Sequence, residues 1–182
     1  MRGRIPFFSP NRFPLNPRRQ AFEARIKQAF ALFDSGEYLQ SAQLFEELGN
    51  IAEAHNGPRA PRFYMEGGQG YLYARHIPEG MALLEKGRLL FIVSGRPETA
   101  ARLCFRIKDE LAELGLNEQA NLVADWSAEH SLHAETQLSQ LKLPLKCPSC
   151  GGPVIANDLI WLDAFTAECD YCGNPMRADA NP

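Results

Sequence analysis

Four cysteines carry the most specific chemistry in this sequence: Cys147-Pro-Ser-Cys150, eighteen intervening residues, then Cys169-Asp-Tyr-Cys172. Two Cys-x-x-Cys pairs at this separation form the four-thiolate pattern of a tetrahedral zinc site, because each short pair wraps its backbone around one side of a metal ion. The residues between the pairs suffice for a strand, a turn and a returning strand, which is the plan of a zinc ribbon. Zinc has no redox chemistry and four thiolates leave no coordination position open, so the expected ion is a single structural Zn2+. Gly151 and Gly152 are expected to supply positive backbone angles in the first metal-binding turn, and Gly173 and Pro175 to close the module.

Other reactive residue types form no comparable set. Cys104 stands apart and reads as a packing residue. His130 and His133 lie three apart on a helical pattern and read as surface or capping residues. No Ser-His-Asp or Cys-His signature, phosphate loop or dinucleotide fingerprint is present, so no enzymatic activity is expected. Gly67-Gly68-Gln69-Gly70 falls inside a helical pattern, where small residues serve close packing.

The elements that position the cysteines come before them. Residues 1–19 mix arginine, proline and phenylalanine without periodicity and read as an extended arm. From Gln20 to Leu143 the pattern is helical. Breaks at Asp34-Ser35-Gly36, Asn56-Gly57-Pro58, His76-Ile77-Pro78, Ser94-Gly95-Arg96-Pro97 and Gly115-Leu116-Asn117 divide this segment into six helices. Residues 144–182 form the ribbon and a short tail, with a strand-like run from Leu159 to Glu168.

The helices repeat. Gly36-Glu37-Tyr38 with Ser41 and Phe45 has its counterpart at Gly80 and Leu84, and Ala120 takes the same place in a third unit, so that Ser41, Gly80 and Ala120 follow one another at an almost constant step. The second unit resembles the tetratricopeptide repeat family through Tyr64, Gly68, Tyr71, Gly80, Leu84 and Gly87, its alternating aromatic and small positions. The match is divergent, with a period longer than that family's. The resemblance implies a mainly α fold of three helical hairpins in a right-handed array, followed by the small β zinc ribbon. It also implies a groove for a protein or peptide segment, lined by Ile26, Phe30 and Phe33, then Met65, Gln69, Leu72 and Tyr73, then Arg102, Phe105 and Asp109.

Charge narrows the partners. Residues 1–20 hold five arginines and no acid, leaving 14 basic against 22 acidic residues in the rest of a chain of net charge −3. The ribbon is acidic, so it is a poor phosphate binder and nucleic acid is not the expected partner. The expected function is a non-enzymatic adaptor or scaffold with the ribbon as second docking module, where Trp161, Phe165 and Tyr171 are candidate contacts. Phe7, Phe8 and Phe13 of the arm are expected to find apolar contacts in the groove of their own molecule or of a neighbouring one, the latter a self-association. The rival reading is a nucleic-acid-associated regulator that uses the basic arm and the ribbon. No apolar run reaches the ~20 residues of a membrane span, no secretory leader is evident, and Cys-x-x-Cys pairs suit a reducing compartment, so a cytoplasmic location is expected.

Overall fold

The computed structural model describes residues 17–128, 141–155, 159–161 and 166–180. Among these, six helices run in chain order: α1 (Pro17–Asp34), α2 (Tyr38–Ala54), α3 (Ala60–Tyr73), α4 (Ile77–Val93), α5 (Pro97–Glu113) and α6 (Asn117–Ala128). The five expected breaks fall between them. The first helix begins at Pro17 rather than Gln20, since proline is tolerated in a first helical turn whose N–H groups have no partner anyway. Most of the expected arm, residues 1–16, lies outside the described residues, as do His130, His133, Phe165 and the side chain of Trp161.

One turn geometry joins all six helices. The N–H of Gly36 bonds to the Phe33 carbonyl and that of Glu37 to the Leu32 carbonyl, which is the pair of bonds of a Schellman helix end. The same pair recurs with Asn56 and Gly57, Arg75 and His76, Gly95 and Arg96, and Gly115 and Leu116. Residues 36, 56, 75, 95 and 115 all have positive φ, between 51° and 84°. Those positions are almost evenly spaced, so one helix-plus-turn unit recurs along the whole helical segment.

Helix α3 sits at the centre, buried on nearly every side. Its glycines allow this: a Cβ on Gly68 would stand 2.8 Å from both the Gly80 carbonyl oxygen and the Leu84 nitrogen of α4, and one on Gly70 would press on Ala42 of α2. Phe63, Tyr64 and Tyr71 of α3 join Ile26, Phe30 and Phe45 in one core cluster. Met65 and Leu72 join Leu84, Phe91, Leu103, Ile107, Leu111 and Val123 in a second. Cys104 is fully buried there, as its packing role requires.

After α6 the described chain holds short strands. β1 (Leu141–Lys142) pairs antiparallel with β5 (Asp179–Ala180), while β2 (Ile160–Trp161), β3 (Thr166–Glu168) and β4 (Pro175–Arg177) form a three-stranded antiparallel sheet. Two expectations change. Residues 141 and 142 are strand rather than the end of a helix, and the run from Leu159 to Glu168 divides into two strands that pair with each other. No helix of the described residues is long and apolar enough to cross a membrane.

Candidate metal centre and adjoining cleft

The four cysteines converge. Their sulfurs all lie within 4.8 Å of one another, with Cys147 Sγ 3.8 Å from Cys172 Sγ and Cys150 Sγ 3.7 Å from Cys169 Sγ. A disulfide requires about 2.05 Å, so none is formed. At a metal–sulfur distance of about 2.3 Å a regular tetrahedron has edges of about 3.8 Å, which those two pairs match. The donor set and spacing therefore fit one soft or borderline tetrahedral cation and are consistent with zinc.

Each half of the site is built alike. In the first knuckle the Cys147 N–H donates to the Gly152 carbonyl and the Gly151 N–H to the Cys147 carbonyl, both at 2.8 Å. In the second, the Cys169 N–H donates to Asn174 at 2.9 Å and the Gly173 N–H to Cys169 at 2.8 Å. Gly151 and Gly173 take φ of +74° and +73°, a conformation that a side chain disfavours. Gly152 does not share it, contrary to expectation. Its role is steric, because a Cβ there would collide with the ring of Tyr171.

The four sulfurs are close enough to shift one another's titration. Hydrogen bonds from Cys150, Cys169 and Cys172 hold the Cys147 thiol far below its ordinary range. Cys150 and Cys172 are pushed up, chiefly by donating to Cys147. Cys169 donates to Cys147 but accepts from Cys150 and Cys172, and is lowered to about 7. Four full thiolates at this separation require a cation among them.

The centre docks on the helices through its second knuckle. Tyr171 is completely buried, its ring edge-on to Phe30 at 5.0 Å and beneath the Arg62 guanidinium at 4.8 Å. Its hydroxyl donates to Glu66 at 2.5 Å. Arg62 is itself 1% exposed and pairs with Asp170 at 3.4 Å. Asn174 donates to Glu23 at 3.0 Å and accepts from Arg19. Tyr171 is thus an internal anchor on α1 and α3, not an exposed contact.

The expected groove residues divide. Ile26, Met65 and Leu72 are core, and Phe30 is almost so, because the apolar face of a helix this well packed has nowhere else to go. Phe30, Phe33, Met65 and Gln69 nevertheless border one cleft of about 260 Å³, between α1, α3, α5 and the first knuckle. Tyr38 and Tyr73 meet the Phe33 ring edge-on, at 5.1 and 5.2 Å between centroids, and lie 5.0 Å from each other.

On α5 the expectation is off by one residue. Leu103, Arg106 and Glu110 line the cleft in place of Arg102, Phe105 and Asp109. The buried stripe Ala100, Leu103, Cys104, Ile107 and Leu111 sets the rotation of this helix and turns Phe105 outward, 56% exposed under Lys108. Lys146, Gly151 and Pro153 of the metal module close the remaining side.

Glu66, Arg106 and Glu110 were not singled out in the sequence. The spacing of Arg62 to Glu66 and of Arg106 to Glu110, four residues each, was the available signal, since it places each pair on one helix face. Glu110 accepts hydrogen bonds from the Gln69 amide and, at 3.3 Å, from the Tyr73 hydroxyl. Burial pushes its carboxyl above the ordinary range; the Gln69 bond opposes this and the Glu66 charge adds to it.

Comparison with protein-family models, with curated protein sequences and with solved structures gave no match to this chain.

Proposed function

We propose that the protein is a non-enzymatic adaptor: a divergent tetratricopeptide-like array of three helical hairpins whose inner face, walled by a structural zinc module, grips an extended protein segment. The observation that carries this reading is the composite cleft, bounded by α1, α3, α5 and the loop of the first cysteine knuckle. First helices of successive hairpins line the inner face of such arrays, and the cleft is lined by those three helices and by none of α2, α4 or α6.

The glycine contacts support the array. Gly68, Gly80 and Gly87 stand where the repeat motif has small residues, and each would bring a Cβ within 2.6–2.8 Å of the neighbouring helix. The identical, evenly spaced turns support it further. The zinc ion would be held by Cys147, Cys150, Cys169 and Cys172, and its contribution is structural: it fixes the knuckle that carries Tyr171 and the loop that walls the cleft.

The cleft suits a peptide of mixed character. Phe33, Leu103, Ile107 and Pro153 offer apolar contact, while Gln69, Arg106 and Glu110 offer polar groups for orientation. The test is affinity capture by the zinc-loaded protein, compared with Phe33→Ala/Glu110→Lys and with Leu122→Ala on the outer surface. A partner should be lost with the first variant and kept with the second. Identical capture by all three proteins sinks the groove assignment.

A further inference from the structure

We infer that the cysteine centre is a redox switch for the cleft: a hydroperoxide joins the outer pair of ligands, Cys147 and Cys172, in a disulfide, which releases the metal and with it the wall that the first knuckle gives the cleft. The inference rests on the reading of the cleft as a binding groove and names how that groove is regulated.

Access divides the four ligands into two pairs. All five cysteines lie within the described residues, and four of them are buried while Cys172 is half-buried. Tyr171 buries its ring against Phe30, and the residue after it is left nearer to solvent. The Sγ of Cys172 stands 3.8 Å from that of Cys147, across the two knuckles, whereas the 3.7 Å pair of Cys150 and Cys169 is enclosed. An oxidant therefore meets the outer pair first, and Cys104, fully buried in the second core cluster, is out of its reach.

The chemistry balances with one hydroperoxide, and zinc itself exchanges no electrons. The Cys172 thiolate attacks the O–O bond, keeps one oxygen as a sulfenic acid and expels an alkoxide, or hydroxide where the oxidant is hydrogen peroxide. The Cys147 thiolate then attacks the Cys172 sulfur, forms the S–S bond and expels hydroxide. Two electrons have passed from the thiolates to the peroxide. Only Cys150 and Cys169 remain as ligands, and two thiolates do not make the closed tetrahedral shell that a structural zinc site requires.

The effect reaches the cleft because the parts are contiguous. Lys146, Gly151 and Pro153, which close one side of the cleft, flank the first pair of cysteines. Packing leaves this knuckle no slack, since a Cβ on Gly152 would stand 2.6 Å from the Tyr171 ring and 3.0 Å from that of Phe30. Drawing Cys147 toward Cys172 therefore disturbs the contact between those two rings, and Phe30 lines the cleft. Glu66, another lining residue, accepts its hydrogen bond from the Tyr171 hydroxyl and shifts with it.

The test treats the full-length zinc-loaded protein with hydrogen peroxide. Released zinc is followed with a chromogenic chelator, disulfides are mapped by mass spectrometry, and hydrogen exchange is compared before and after. Each zinc ion released should be matched by a Cys147–Cys172 disulfide and by lost protection over residues 145–154, and dithiothreitol with added zinc should restore the starting state. Cys172→His keeps a zinc ligand but cannot form the disulfide, and should slow the release at least about tenfold, while Cys104→Ala should leave it unchanged. If Cys172→His does not load zinc, the disulfide mapped in the unaltered chain decides. Zinc retained under excess peroxide overturns the switch. So does a disulfide confined to one knuckle or formed first between Cys150 and Cys169, and so does unchanged protection over residues 145–154. The groove reading fails separately, in the capture experiment, which is run with reductant present.

Discussion

The two core clusters are built by different means. The first gathers α1, α2 and one side of α3 around aromatic rings, and is completed by Cys147, Cys150, Cys169, Tyr171 and Met176 of the metal module. The second, from the other side of α3 to α6, is mainly aliphatic with Phe91 and Trp126 as its aromatic members, and among the described residues it contains none from beyond α6. Against the first lies a buried arginine, Arg62, over the Tyr171 ring, which has Asp170 of the second knuckle beside it. The contrast teaches that the cysteines are not an appended unit: the helices that come first borrow part of their interior from the metal site. Metal removal is therefore expected to disturb the first helices as well as the module itself.

The largest effect should come from the metal. Chelation, or Cys169→Ser, should release the knuckle that carries Tyr171 and cost about 5 kcal/mol or more. Hydrogen exchange should show protection lost in α1 and the first turns of α3, and kept in α5 and α6. Equal loss in both halves breaks the comparison. Next, Tyr171→Ala should cost about 3–5 kcal/mol with metal bound and far less after chelation. Leu111→Ala in the second cluster should cost about 2–5 kcal/mol in both conditions. Denaturant midpoints with and without chelator measure this pairing.

Smaller effects sharpen it. Gly95→Ala, at a position with no neighbour within 4 Å, tests backbone conformation alone and should cost about 1–2 kcal/mol, read as a shift in thermal midpoint. The smallest concerns Glu110, whose carboxyl is raised in the folded state. The unfolded chain then gives up this proton more readily, so the ionised group opposes folding at neutral pH, and the penalty fades as pH falls through the folded-state value. Glu110→Gln should be slightly more stable than the unaltered protein at pH 7, with the gap closing as pH drops through the carboxylate range.

Much of this was legible in the sequence. The cysteine spacing identified all four converging residues, since a knuckle is local. Glycine and proline marked all five turns, although at Asn56 and Arg75 a non-glycine residue takes the positive φ. Rotation of a helix is harder to read. On α5 a mixture of charged and apolar residues allowed an assignment one residue away, and only the packing of Leu103, Ile107 and Leu111 fixed it. Least legible was the docking of the second knuckle. Asp170, Asn174, Arg62 and Glu23 read as ordinary surface groups, and nothing local announces that they meet from opposite ends of the chain.

That separation also orders the assembly in time. Asn174 and Glu23 are 151 positions apart, whereas each Schellman turn closes between near neighbours in the chain. Helical hairpins form from neighbours and are fast, while joining the knuckle to α1 closes a very long loop, whose entropy must be met before the Tyr171 contacts are gained. In refolding, the aromatic interior of the first helices is therefore the last part to be sealed, at a rate set by metal supply as well as by the chain.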